Sequence, residues 1–347
     1  MIAAWCVFLA FVVVVLALDL GLVRRSSREI GFREALALSI VWVALGLGFA
    51  GVVFLAYEHT VWGLGTTTDP VDGVVNDGAR AMQKYLTGYV VEKTLSIDNI
   101  FVITAVFGSL AVPIVQRHRV LFWGVLGALV MRAVMIVAGA RLIEEFHWIL
   151  QVFAVLLVVT AVRLLMGTQG PHDPRQSLLL RWIRRLVPVV DGDHGPRFFV
   201  RVPRGAATVL AVTPLGVALM LVEGTDLIFA IDSIPVIFAI TGDPFLVFTS
   251  NIFALLGLRS LYFVLAGMVD RFRYLKTSLA LVLLVVGVKM LAADEVKQVL
   301  GAHFNLVLLV MIVLIITAGI VASLLVERAI GRNGPAWGRA LVRDPGA

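Results

Sequence analysis

The chain has 347 residues, of which 60% are hydrophobic and 15% charged, with a mean hydropathy of +0.98. Soluble domains run at about 45–50% apolar and about 25% charged residues, so the polar surface needed to cover a water-soluble core of this size is missing. The single cysteine, Cys6, excludes an internal disulfide and a thiolate metal cage.

Nine apolar segments follow in chain order, at about 2–23, 36–56, 84–108, 119–140, 147–166, 207–238, 245–268, 275–292 and 304–326. Each is roughly long enough to cross a hydrocarbon layer of about 30 Å, though the sixth is too long for one straight span and the eighth is marginal. The sequence therefore predicts an all-α fold, a polytopic transmembrane helical bundle of about nine spans over residues 1–326. The first segment has no basic residue before it (MIAAWC), and Arg24, Arg25 and Arg28 come after it. It reads as a retained helix with its N-terminus outside, not as a cleaved signal.

Basic residues are sharply partitioned. The loops after odd-numbered segments, with the tail, hold twenty Lys and Arg; the alternate loops hold four, Arg80, Lys84, Arg141 and Lys297. Cytoplasmic loops carry such an excess. The chain is therefore expected in the plasma membrane (the inner membrane of a cell with two), with its N-terminus outside and its C-terminus cytoplasmic. The net charge of +6 then marks topology beside anionic lipid, and no nucleic-acid partner is expected. Residues 167–206 form a basic cytoplasmic loop, irregular in its Pro- and Gly-rich parts, with one short amphipathic helix around 177–187. Residues 327–347 form a cytoplasmic tail. Acids in the outer loops, among them Glu58, Asp69, Asp72, Asp77 and Asp243, read as solvated loop charge.

Charge inside the apolar segments carries the functional signal. The acids are Asp19, Glu92, Asp98, Glu223, Asp226 and Asp232; the bases are Lys93, Arg132, Arg259 and Lys289, with Arg163 near a helix end. Six carboxylates facing lipid would cost roughly 15–20 kcal/mol. They must meet one another, the bases, water or a bound cation. Salt bridges that only hold helices together are one solution, but intramembrane ionisable groups are functional by default.

The acids also repeat. Asp98-Asn99-Ile100 aligns with Asp232-Ser233-Ile234, which places Glu92 over Asp226, and Arg132 and Arg259 follow one helix later in each unit. The two units, about 84–166 and 207–292, cross the membrane in opposite senses, as two inverted three-helix repeats. Transporters of this construction bind ions near the midplane. At about 100° per residue, Glu92, Ser96 and Asn99 share a helix face while Asp98 lies about 240° away from Glu92. Pro235 cannot donate to the carbonyl of Ile231, so an interruption of the sixth helix is expected near Asp232.

The donors on these segments (carboxylates, Asn99, Asn251, Ser96, Ser233, Thr225 and backbone carbonyls) are all oxygen. That set suits Mg²⁺, Ca²⁺ or Mn²⁺ and disfavours Zn²⁺ or Cu⁺. The motifs EKTLSIDN (92–99), EGTDLIFAIDSIP (223–235) and SNIFALLGLRSLYF (250–263), with LALDLG in the first segment, resemble the TerC family of membrane proteins over about residues 1–326. The resemblance implies metal export, manganese above all. It carries Glu92, Asp98, Glu223, Asp226 and Asp232 over as functional acids, with Asp19 as a further candidate. An acid-lined path repels the tellurite oxyanion for which the family is named.

The expected function is thus divalent-cation export, Mn²⁺ as transported ion, with coupling by proton antiport. Asp98 and Asp232 would be the central ligand pair, with Asn99 among the oxygen donors. The alternative is export of amino acids or other small organic cations. No resident cofactor and no enzymatic activity are expected, since no catalytic nucleophile and no His-rich catalytic metal cluster is visible in the sequence.

Overall fold

The computed structural model describes residues 1–25, 31–146, 148–166, 178–190, 192, 194–204, 207–266, 274–292 and 304–333. Its helices are α1 (Ile2–Arg25), α2 (Phe32–Glu58), α3 (Gly78–Ser109), α4 (Ile114–Glu145), α5 (Ile149–Leu165) and α6 (Leu178–Leu186). They continue with α7 (Pro214–Phe238), α8 (Pro244–Leu255), α9 (Leu258–Leu265), α10 (Leu275–Leu291) and α11 (Phe304–Asn333). One antiparallel hairpin, β1 (Phe199–Arg204) with β2 (Ala207–Val212), pairs Phe199 with Val212 and Arg204 with Ala207. Asp19 lies in α1, but its side chain falls outside the described residues, as do residues 167–177 of the basic loop and the tail from 334.

By length and composition, α2, α4, α7 and residues 305–326 of α11 can each cross a membrane, and the bent pair α8–α9 makes a fifth candidate. Their outward faces are apolar: Val41, Leu45 and Val52 of α2, Val130 and Val134 of α4, and Leu314 of α11 are all exposed. A face of this kind is stable against lipid, not water. α3 is the hub and packs against α2, α7, α8 and α11.

Two expectations are corrected. The sixth apolar segment begins as a strand: residues 207–212 form β2, and α7 starts at Pro214, with the Thr213 side chain capping the Gly216 N–H. The α7 helix also runs without interruption through Asp232. Pro235 lies in its last turn, where one lost hydrogen bond is cheap to tolerate. The break falls in the next segment, where α8 and α9 meet at 41° across Leu256 and Gly257. Gly257 has φ +81°, and the Trp42 side chain lies where a Cβ would point, so both conformation and space call for glycine.

A broken helix leaves carbonyls without partners, which is costly at membrane depth. Here a lysine from a neighbouring helix supplies the donors. Lys93 Nζ on α3 donates to the carbonyls of Ala254 (3.0 Å) and Leu256 (3.2 Å). Lys289 on α10 does the same at the end of α7, donating to Ala239 O at 2.7 Å. Lys93→Met would strand two carbonyls. At about 1–3 kcal/mol per buried unsatisfied group, the purified variant is expected to lose about 3 kcal/mol. Its thermal denaturation midpoint in detergent measures this, and an unchanged midpoint would show that the cap contributes nothing.

Candidate functional site

The centre of the bundle is built around Arg132. α4 presents small residues to α7, with Gly124 against Val222 and Gly127 against the Glu223 carboxylate, which lets the two helices approach closely. Arg132, further along α4, is 0% exposed. Its Nη1 donates to Glu92 Oε1 on α3 and, at 3.1 Å, to Asn251 Oδ1 on α8. Its Nε and Nη2 reach the two carboxylate oxygens of Asp226 on α7 at 3.4 and 3.3 Å. Asn99 Nδ2 donates to Asp226 Oδ1 at 3.4 Å. One guanidinium thus joins four helices, in the planar fork geometry that suits arginine better than lysine.

On the same two helices, α3 and α7, four buried oxygens have nothing to bind among the described residues. Glu92 Oε2, Ser96 Oγ, Asn99 Oδ1 and Ser233 Oγ are buried and have no hydrogen-bond partner among the described residues. Glu92, Ser96 and Asn99 share a face of α3, and Ser233 lies two turns along α7 from Asp226, nearly in line with it. Buried acceptors of this kind are rarely left unmatched. A small cavity of about 20 Å³ is lined in part by Asn99, Gly124, Thr225 and Asp226.

The predicted site residues therefore divide. Glu92, Asp226 and Asn99 meet at Arg132, and Glu223 interacts electrostatically with Asp226. Asp98 and Asp232 have no hydrogen bond or ion pair among the described residues, and the charge acting on Asp98 is that of Lys276 on α10. Asp98 projects from a different side of α3 than Glu92, so it does not join the pairing at Arg132. Among the described residues no three acids, histidines or cysteines converge as a ready-made metal cage.

A second polar cluster, read from sequence as solvated charge, is instead buried over the end of the bundle formed by the α2–α3 loop. Asp69 is 2% exposed. It accepts from Lys84 Nζ and from the backbone N–H groups of Val71 and Gly242, at 2.8, 2.9 and 2.9 Å. The Thr241 hydroxyl also donates to it. Asp72 pairs with the same ammonium at 2.8 Å, and Tyr57 donates to Asp243 at 2.8 Å. The loop is thereby locked to the turn between α7 and α8.

Burial would raise the Asp69 carboxyl, but the Lys84 charge and the hydrogen bonds outweigh it and hold it below the usual carboxylate range. Burial pushes the Asp243 carboxyl the other way, upwards. Because the folded value of Asp69 is lowered, its contribution is complete above the unfolded value of about 3.9. It is lost only as pH falls through the folded value. Asp69→Asn should remove about 3 kcal/mol, the scale of a buried pair that loses one partner. The lowered thermal midpoint should appear at neutral pH and vanish in strong acid. The same deficit at every pH would place the loss in packing.

Residues 77–330 match the integral membrane protein TerC family. An uncharacterized membrane protein of Myxococcus xanthus, STKORF319, is 44% identical over 324 residues, which is 93% of this chain and 92% of that protein. A protein of Escherichia coli K12 named "Putative membrane-bound redox modulator Alx" is 40% identical, covering 89% of this chain and 93% of its own. An uncharacterized membrane protein of Rickettsia bellii is 36% identical over 95% of this chain and 100% of its own length. No solved structure matches the chain. Apolar helices, an acid-bearing hub and these relatives agree: the chain is a multi-pass integral membrane protein and belongs to the TerC family.

Proposed function

We propose that the protein is a transporter that exports divalent metal cations, Mn²⁺ foremost, and that Glu92, Asp226 and Arg132 form its central exchange site. The observation that carries this reading is the Arg132 guanidinium held between two buried carboxylates beside unmatched oxygens. Glu92, Glu223 and Asp226 against one arginine leave two negative charges, which one divalent ion would neutralise. Arg132 acts as a tethered cation. It holds the acids when no ion is present and gives way when one enters, so the carboxylates never face each other uncompensated. Protons taken up by the acids as the ion leaves would limit the charge swing and couple export to proton entry.

Nine crossings fit this assignment, made by α1, α2, α3, α4, α5, α7, the α8–α9 pair, α10 and α11. Two inverted units, about 84–166 and 207–292, would then place the equivalent acids Glu92 and Asp226 on either side of Arg132. Residues 1–326 form the transporter body, with 167–206 and 327–347 cytoplasmic. The twenty-to-four partition of basic residues supports an N-terminus outside, in the plasma membrane. In that orientation the cavity at Asp226 lies in the cytoplasmic half, and the Asp69–Lys84 cluster closes the outer end.

Export of amino acids or other organic cations is disfavoured, since about 20 Å³ admits a water or a bare ion but no side chain. The redox label borne by some relatives finds no dithiol here, because Cys6 is the only cysteine. Purified protein in liposomes, loaded in turn with Mn²⁺, Mg²⁺, Ca²⁺ and lysine, tests the proposal. Mn²⁺ should leave with an opposing proton flux. Lysine export without metal movement would overturn it.

A further inference from the structure

The basic segment before α7 is more than a topology signal. In α6, LLLRWIRRL, Leu180 and Ile183 are buried. They pack among Ile103, Val106 and Leu215, near the ends of α3 and α7. The other face carries exposed Arg184 and Arg185 together with Trp182 and Leu186, exposed to 64% and 73%. No acid stands on this helix. Exposed arginine needs no explanation, but an exposed tryptophan and leucine between arginines do. That mixture suits the boundary between headgroups and acyl chains, where the ring sits at headgroup depth and the guanidinium meets phosphate.

The position of α6 gives the surface a consequence. Leu179, at its first turn, covers Gly224 of α7, where a Cβ would strike the Leu179 side chain. Gly224 directly follows Glu223 and stands two residues before Asp226. Whatever holds α6 against the bundle therefore also sets the packing around those acids.

We propose that α6 is a docking surface for the phosphate headgroups of acidic phospholipids, and that this lipid contact seats Leu179 on Gly224 beside Glu223 and Asp226. The docking follows from charge complementarity and from the place of α6 at the helix ends on the strongly basic side. Its effect on transport rests on the function proposed above. Each arginine near an anionic leaflet is worth about fivefold in affinity, so Arg184 and Arg185 together supply about twenty-fivefold.

The test uses the full chain reconstituted in phosphatidylcholine bilayers containing brominated phosphatidylglycerol or, at equal fraction, brominated phosphatidylcholine. The difference in quenching between the parent and Trp182→Phe isolates the Trp182 signal. Brominated phosphatidylglycerol should quench Trp182 more strongly than brominated phosphatidylcholine. In Arg184→Gln/Arg185→Gln, whose buried face is untouched, that preference should fall by about twenty-fivefold. Equal quenching by the two lipids, or an unchanged preference in the double variant, would overturn the proposal. The readout involves no transport, so a failure of Mn²⁺ export would strike the functional reading and leave this one standing.

Discussion

Arg132→Gln is expected to destabilise the protein by about 3–5 kcal/mol, the cost of removing one partner from a buried ion pair. The guanidinium is fully buried and bonds to Glu92, Asp226 and Asn251. Glutamine leaves two carboxylates facing each other with no cation between them. If the site exchanges arginine for a divalent ion, Mn²⁺ should restore part of the loss. At a hundredfold excess over its dissociation constant, a ligand specific to the folded state returns about 2.7 kcal/mol. Thermal denaturation in detergent, with and without Mn²⁺, measures both effects. Arg132→Lys keeps the charge but loses the fork and should fall between parent and glutamine variant. A glutamine variant as stable as the parent, and indifferent to Mn²⁺, would show that the acids are held in some other way.

Much of this architecture was legible because it follows from local pattern. The apolar runs located the long helices, the basic amphipathic stretch located α6, and the cost of intramembrane charge singled out the acids. Helix periodicity placed Glu92, Ser96 and Asn99 on one face with Asp98 off it, and that is the face that meets Asp226 and Arg132. The repeat alignment matches letters and not directions: it pairs Glu92 with Asp226, which do meet at Arg132, and equally Asp98 with Asp232, which do not join them there.

What stayed hidden depends on partners distant in sequence. Lys93 reads as a buried charge seeking an acid. Its partners are two carbonyls more than 150 residues away, exposed by a break that exists because Gly257 adopts a positive φ under Trp42. Pro235 drew attention as the helix breaker, yet one turn from the end of a helix it breaks little. Strand β2 is invisible in the apolar pattern because ATVLAV runs straight into the apolar start of α7. Asp69 reads as solvated because nothing in a loop sequence shows that Lys84, Thr241 and Gly242 close over it.

Under the proposed function, the pairing at Arg132 also ranks the acids by what each should do for transport. Unit charges about 4 Å apart at an effective dielectric near 20 attract by about 4 kcal/mol. Asp226→Asn or Glu92→Gln should therefore weaken a divalent ion by about a hundredfold to a thousandfold while keeping shape and an oxygen. Asp98→Asn removes a half-buried carboxylate whose charge partner is Lys276 on a different helix, so its effect should stay within about tenfold. Neutralising Asp226 or Glu92 also leaves Arg132 with one acid in place of two. Part of any loss could then come from the fold, and thermal midpoints recorded on the same samples separate the two. Mn²⁺ efflux from liposomes containing equal amounts of folded protein gives the ranking. Cells carrying the Asp226 variant should accumulate Mn²⁺ and lose protection against its excess. If Asp98→Asn abolishes efflux while Asp226→Asn retains it, the central exchange site is wrongly placed, and the ion path runs along the Asp98 side of α3.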